Sequence, residues 1–588
     1  MVHAAPSIND HGCRRRHPAP PRSRLLELEP AGGGMDRVAR ISGHIISSSA
    51  GTAATTTQSP LGRPLAKLPP SSRSEIPEHA RGTFWSDIEV HGLAKPTFPR
   101  LEESLCDVDC AVVGAGIVGL KLARYLARYG LSVVVLEGAT VGDNAASARN
   151  QGCLQHVVSD YATAGSDAKP LEELGKENRR LIAEQVTEFG IECDWLETAE
   201  NYMVCRDSPD ASEQLAGMRA EVAARQADGL SCRFLEAEEA TELGAGGTQN
   251  GLYIGGLQHF GDMAATFHSG KYLFGLAKGV GATPGVALYE NSRVIEIEEL
   301  GHGGRDGGVR LVTASGHSVQ ARHGIIATNA CVPQFAPWLA DALRAERGQM
   351  AVTEPLLERP CVGCGGCSGV PGEGDEDIVP TAWKDIPEPD GRWRLMVTGC
   401  RWREHPTNDS IFPQFSSSSK RGVGYQQYAP APHPRLESEG MAPSRNHQAR
   451  IDRMFARVFP HLAAAGVKFE YRWGGLQCFT ADHHPLCGSI TASGRLHTLA
   501  GLSGRGNGFS DVLGMFLAGR VAGEISAVEA KWGAEFLDRL FGPDRPSARY
   551  GSGVTVWSSG VEKQHPGGNN TAAIGDDYWG EWGTGAKR

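Results

Sequence analysis

The chain has 588 residues, 40% hydrophobic and 21% charged, which is enough for two or three domains with a substantial core. Its net charge of −10 is mild and speaks against a general nucleic-acid binder, which presents a basic face. No apolar run approaches the ~20 residues that span a bilayer, so no integral membrane segment is expected. The fourteen cysteines are scattered, with no secretory signal peptide evident, and read as reduced thiols.

Residues 1–80 are rich in Ser, Thr, Ala, Pro, Gly and Arg and poor in aromatics. Such a segment buries too little apolar surface to offset its ordering entropy. Three readings stay open: an organelle transit peptide, a disordered tail, or an over-long reading frame with Met35 as an internal start. The expected location is cytoplasmic, or an organelle under the first reading. From Phe84-Trp85 to Leu105 the chain is mixed and proline-punctuated, like an arm leading into a first strand.

The segment Cys110–Gly152 carries the strongest signal. Apolar Ala111–Val113 reads as a strand. Gly114-Ala115-Gly116-Ile117-Val118-Gly119 follows, then a helix-period run to Tyr129 and a stop at Gly130. A second apolar run, Val133–Leu136, is closed by Glu137-Gly138. Gly114 permits the sharp turn, Gly116 lets backbone approach a pyrophosphate, and Gly119 lets the helix pack on the sheet. The pyrophosphate would sit on the helix N-terminus, and Glu137, 18 residues beyond Gly119, would take the ribose hydroxyls. This is a dinucleotide site.

Further along, Leu171 to Phe189 repeats at helical steps and stops at Gly190. Residues 191–205 alternate like a strand, and Ala211–Ala227 reads as a helix. Phe267–Gly279 predicts another helix, and Val294–Ile297 a strand. Ser318–Ala330 ends a β-segment with a small-residue turn. Residues 340–475 are the least regular: candidate strands at Gly348–Thr353, Ile378–Trp383 and Arg394–Gly399 stand among loops at 358–376 and 404–445. The tail beyond Gly542 is glycine-rich and polar.

From about Trp85 to Leu540 the chain resembles the D-amino-acid-oxidase-like FAD oxidoreductases, the family of glycine oxidase, sarcosine oxidase and gamma-glutamylputrescine oxidase. Four separated pieces carry the resemblance. They are the GAGIVG unit with Glu137; Ser147-x-Arg149-Asn150-Gln151-Gly152, similar to the loop beside the flavin; Gly324–Ala330 with Thr328 and Asn329; and a C-terminal set. That last set is Trp473-Gly474-Gly475-Leu476, Thr480-x-Asp482-x-x-Pro485-x-x-Gly488, and Gly501 to Gly508 with Gly504, Arg505, Gly506 and Asn507. The Ser-x-Arg-Asn-x-Gly loop and Gly348-Gln349…Thr353-Glu354-Pro355 most resemble the gamma-glutamylputrescine oxidase branch.

The resemblance implies an α/β (α+β overall) fold: a Rossmann-type FAD domain from discontinuous segments plus a substrate domain with a mostly antiparallel sheet. The expected division is FAD-binding at 81–170, 256–340 and 473–540, and substrate-binding at 171–255 and 341–472. Residues 1–80 would be an extension and 541–588 a disordered tail. FAD is the implied cofactor. The implied chemistry is hydride transfer from the carbon beside an amine nitrogen to the flavin, imine hydrolysis, and reoxidation by O2 to H2O2. A dehydrogenase serving a protein or quinone acceptor is the alternative, and an FAD-fold RNA-modification component or scaffold a third reading.

The substrate side is where the chain departs from relatives. Amino-acid-oxidising members place an arginine where this chain has Gln477, and a glutamine lacks the charged bidentate fork that clamps a carboxylate. The expected partner is therefore an amine, or an amino acid whose carboxylate is held elsewhere; Arg401, Arg403 and Arg505 are substitute clamps. His268 is a further substrate-channel candidate, with a helix-start role preferred. Arg149 cannot carry the covalent flavin link that some relatives make nearby; Cys153 and His156 read as a packed thiol and a loop imidazole. Cys361-x-x-Cys364-x-x-Cys367 has metal-ligand spacing but no clustered fourth ligand, Cys400 being the distant option, so no metal is expected. His483-His484 reads as loop structure.

Overall fold

The computed structural model describes residues 83–549, apart from 88–90, 93, 144–145, 159–160, 209–210, 246–251, 302–306, 371–378, 400–414, 420–421, 426–442 and 444. Two large sheets organise it. The first has the strand order Val294–Leu300, Gly308–Thr313, Ser318–Ile326, Leu105–Val113, Val133–Leu136, Val286–Tyr289, with Leu496–Ala500 also alongside Ser318–Ile326 and Leu486–Ser489 beyond it. Leu105–Val113 runs parallel to both of its neighbours, Val133–Leu136 and Ser318–Ile326. Its inner residues, Cys110 to Val113, are buried on both faces, as a central parallel strand requires.

Helices cover one face of this sheet. Ile117–Arg128 packs on Gly506–Ala522, which packs in turn on Ala168–Glu188. Leu120, Leu122, Leu174, Ile182, Leu513 and Phe516 meet in the shared core. The long helix predicted from Leu171 shares this core through its packing on Gly506–Ala522. The Phe267–Gly279 helix is found at Ser269–Gly281.

The second sheet has the order Phe469–Phe479, Arg344–Thr353, Trp393–Gly399, Val379–Pro387, Cys364–Val370, Glu200–Cys205, Tyr253–His259, Cys232–Glu236. Every pairing is antiparallel except Cys364–Val370 with Glu200–Cys205. The expected boundaries at 255/256 and 472/473 each fall inside one of these strands, because both strands complete this sheet before the chain leaves it.

Two expectations need correction. The 358–376 segment contains a strand, Cys364–Val370, not only a loop. Its glycines allow close approach: a Cβ on Gly365 would stand 2.8 Å from the Asn201 carbonyl oxygen and 3.0 Å from Trp383 Nε1. The start of the tail is packed: Phe541 and Ala548 are buried and Arg545 is 8% exposed. The rest of the expected tail, and residues 1–80, lie outside the described residues. The arm at Phe84-Trp85 is a short 3₁₀ turn capped by Thr83, and both aromatic rings are fully buried.

Candidate functional site

The first strand ends at Gly114, whose φ of +101° is open to glycine and strained for other residues. Its N–H donates to the Leu136 carbonyl at 2.8 Å. The helix then starts at Ile117 with Gly116 as N-cap and no side-chain cap. A Cβ on Gly119 would lie 1.9 Å from the Gly114 carbonyl oxygen, so only glycine lets turn and helix approach this closely. A helix N-terminus with glycine as its N-cap exposes the positive end of the dipole, which favours an anion. Ser147 Oγ accepts the Ile117 N–H at 3.0 Å. Glu137 accepts the N–H groups of Ala115 at 2.8 Å and Ala139 at 3.0 Å.

This turn opens into a cleft of ≈ 1430 Å³, part of it continuous with solvent. Gly114, Gly116, Ile117, Val118, Glu137 and Gly138 line one stretch. Ser147 and Asn150 line another, as do Val294, Thr328 and Asn329 from the strand ends. Gly504, Gly506 and Asn507 close it, with Gln477 between Leu476 and Cys478 on the Phe469–Phe479 strand. Pieces far apart in sequence thus share one cavity. The Thr328 hydroxyl is buried with no hydrogen-bond partner among the described residues. An orphaned polar atom, a glycine turn that a Cβ would block and a helix N-terminus with a glycine N-cap fit a bound FAD.

Several expected cofactor residues stand behind the cleft wall instead. Arg149 is 2% exposed, and its guanidinium donates to the carbonyl oxygens of Gly474 at 3.0 Å and Asp143 at 3.1 Å. Its role in this structure is to tie the loop to the second sheet, and burial pulls its pKa down to about 10. Its own carbonyl accepts the Trp473 indole N–H at 3.1 Å. Gln151 donates to the Trp383 carbonyl at 2.9 Å. The Gly152 carbonyl accepts Lys384 Nζ at 3.1 Å. Ala115, Gly119 and Gly508 are likewise outside the lining, through packing of turn and helices. Arg505 is the N-cap of Gly506–Ala522, between two glycines that do line the cleft.

Asn150 holds the loop's shape. Its amide donates to the carbonyls of Ala146 and Ser147, and its Oδ1 accepts the Gly152 N–H at 2.7 Å and the Ser269 hydroxyl at 2.8 Å. Trp85 caps the arrangement by donating to the Asn150 carbonyl at 2.7 Å. Lys384, which sequence reading missed, is fully buried and also donates to the Phe267 carbonyl at 2.7 Å. Burial lowers its pKa against the raising effect of Cys153, Cys364 and Asp385. Nothing local marks this lysine, because its partners come from 232 and 117 residues away. Arg293, Gln334 and Phe335 also line the cleft unforeseen; only Arg293, beside Val294, had a neighbouring signal.

His268 is not among the residues that line the cleft. It caps the Ser269–Gly281 helix, accepting the Lys271 N–H at 3.1 Å, and packs against Phe84, Trp85 and His91. Arg401, Arg403 and Cys400 lie outside the described residues. The three clustered cysteines do not converge. Cys361 bonds within its own turn to the Gly363 carbonyl, while Cys364 and Cys367, three apart on one strand, point to opposite faces. His483-His484 lies in a turn closed by the Thr480 hydroxyl on the His484 carbonyl at 2.7 Å. Burial holds the His484 pKa down at about 4 despite Asp482. Among the described residues, no helix is long and apolar enough to cross a membrane.

Comparison with known proteins agrees with this architecture. A family model described as DAO, FAD dependent oxidoreductase, matches residues 109–520. A probable oxidoreductase OrdL of Haemophilus influenzae is 28% identical over 261 residues, 43% of this chain and 55% of that protein. The Escherichia coli gamma-glutamylputrescine oxidoreductase is 24% identical over 448 residues, 74% of this chain and 88% of its own length. The crystal structure of glycine oxidase from Geobacillus kaustophilus superposes with a TM-score of 0.53 at 17% identity, covering 71% of this chain and 96% of that one. With 412 matched residues built around the glycine turn, the chain belongs to the DAO family of FAD-dependent oxidoreductases, and its cofactor is FAD.

Proposed function

We propose that the protein oxidises the carbon–nitrogen bond of an amine, releases an imine for hydrolysis, and returns electrons to O2 with formation of H2O2. The observation that carries the reading is the meeting of the Gly114–Gly119 turn and Gln477 in one cleft. Bound FAD supplies the two-electron acceptor. The helix N-terminus at Gly116 binds the pyrophosphate, Glu137 takes a ribose hydroxyl, and Thr328 donates to the cofactor. Asn150 and Asn507 line the cleft, and Arg149 and Lys384 keep the loop beneath it in place.

Gln477 presents a neutral amide where amino-acid-oxidising relatives carry a cation. The substrate is therefore an amine, or an amino compound whose carboxylate lies away from this position. An alkyl ammonium with a pKa of ~10.4 gives up about 4–5 kcal/mol to reach its neutral form at pH 7. Burial in the cleft lowers that cost, so a dedicated base is not required. The similarity to a gamma-glutamylputrescine oxidoreductase supports an amine-bearing substrate.

The test is anaerobic addition of a panel of alkyl amines, N-alkyl amino acids, glycine and D-alanine to the holoenzyme, following loss of flavin absorbance. Bleaching by amines, with peroxide formed when air is admitted, is the expected result. Fast bleaching by glycine or D-alanine with none by amines overturns the amine assignment. Bleaching followed by reoxidation only with an artificial acceptor overturns the oxidase assignment.

A further inference from the structure

Outside the cofactor cleft, His156, Glu200 and His259 bring three donor atoms within 4.8 Å of one another. Among the described residues this is the one such group of three or more His, Cys, Asp or Glu side chains. None of the three lines the cleft. Glu200 and His259 are register partners on neighbouring antiparallel strands of the second sheet, so their side chains stand on the same face. His156 reaches them from the loop after the Cys153–Leu154 strand, with Nδ1 at 2.8 Å from Glu200 Oε2. The Glu200 and His259 side chains are fully buried and His156 is 14% exposed.

Hydrogen bonding alone leaves this cluster incomplete. Glu200 is served by His156 and by the Tyr202 hydroxyl at 2.7 Å. Yet neither ring nitrogen of His259 has a partner among the described residues, although both are buried. A buried imidazole with both nitrogens orphaned calls for an unseen ligand. The loop bearing His156 is also held firmly. Glu172 accepts the N–H groups of Val157 and Val158 at 3.1 and 3.2 Å, and Arg225 clamps both Glu172 at 3.0 Å and the Val158 carbonyl at 2.6 Å.

We propose that His156, Glu200 and His259 form a site for one divalent transition-metal ion of the zinc type. Two imidazole nitrogens and a carboxylate oxygen are a ligand set for such borderline ions, and three protein ligands leave a fourth position for water or a substrate oxygen. Ligands ~2.0–2.1 Å from a tetrahedral ion stand about 3.3 Å apart. His156 Nδ1 and Glu200 Oε2, now 2.8 Å apart, must therefore part slightly, and donor atoms within 4.8 Å of one another must adjust around the ion. The two imidazoles stack at 4.5 Å with an interplanar angle of 22°. Seating the ion therefore requires a ring to turn about its Cβ–Cγ bond, a broad torsion. His259 is the ring that turns, since it breaks no hydrogen bond in doing so.

The test uses the full-length holoenzyme, stripped with a chelator, desalted, titrated with Zn²⁺ and desalted again, with zinc and flavin counted on each sample. The expected result is about one zinc per chain in the wild type and under a tenth of that in His259→Ala and in Glu200→Gln. The second variant keeps the shape of the side chain and one of its two acceptor oxygens, so it guards against simple misfolding better than truncation does. Zinc should also raise the melting temperature of the stripped wild type but not of either variant. A wild type that retains under a tenth of a zinc per chain, or variants that retain as much as the wild type, overturns the site. Flavin content and anaerobic bleaching on the same samples keep failure of this site distinct from failure of the amine-oxidation reading.

Discussion

Ala115 and Glu137 are joined by a hydrogen bond of 2.8 Å from the backbone N–H of the turn to the carboxylate at the tip of the second strand. The acid thus shapes the turn as well as facing the cleft. Glu137→Gln removes the charge while keeping one acceptor. A hydrogen bond to a charged group contributes about 1.5–3 kcal/mol, so FAD should bind roughly tenfold more weakly or worse. Titration of the apoprotein with FAD measures it, and an unchanged dissociation constant would remove Glu137 from the cofactor site.

Gly119→Ala is a steric prediction. The added Cβ would meet the Gly114 carbonyl oxygen at 1.9 Å, a backbone atom that cannot swing away. Overpacking of this kind costs about 1–3 kcal/mol and shifts the turn. The variant should lose most of its flavin and melt several degrees lower. Full flavin content after purification would contradict the packing seen between turn and helix.

Gln477→Arg should move substrate preference toward carboxylates. Gln477 lines the cleft from the Phe469–Phe479 strand, in register with Glu346 and with its amide beside Gly348. A charge-assisted contact is about twice as strong as a neutral one. The ratio of kcat/KM for a simple amino acid over an amine should rise at least tenfold while flavin content holds. An unchanged ratio would mean that position 477 does not face the substrate.

The turn, its glycines and Glu137 were legible in sequence because their constraints are local: a left-handed backbone angle, a close contact five residues apart, an acid at a strand tip. The antiparallel sheet was legible only in outline. Cys364–Val370 looked like a loop because glycine is read for its entropy, whereas here it admits two neighbouring strands at close range. Lys384, the Glu200–His259 pair and Arg545 carried no local signal at all. Each acquires its partners only when strands distant in sequence align, and no spacing rule encodes that register. Arg149 shows the converse, since its motif is local and conspicuous in sequence, yet its guanidinium braces the second sheet.

The last prediction concerns Asp482 and Arg545. The guanidinium meets the carboxylate through two bonds, at 2.6 and 2.9 Å, and both side chains are nearly buried, at 11% and 6% exposure. Arg545 also donates to the Pro485 carbonyl at 3.0 Å, and Ser547 donates to Asp482 at 2.6 Å. The pair therefore fastens the 541–549 segment over the turn that precedes Leu486–Ser489. Removing one partner of a buried pair costs about 3–5 kcal/mol, so Arg545→Met should melt markedly lower. Burial alone would raise the Asp482 pKa, but the hydrogen bonds and charge of Arg545 outweigh it and hold the carboxyl well below its ordinary value. A depressed folded-state pKa contributes stability that is complete above the unfolded value of ~3.9 and fades as pH falls below it. Wild-type protein should thus lose stability more steeply below pH ~4 than Asp482→Asn, which is weaker at pH 7 but cannot titrate at this position. Denaturant melts at pH 7, 4 and 3 compare the two, and parallel losses would show that the pair does not set the acid limit.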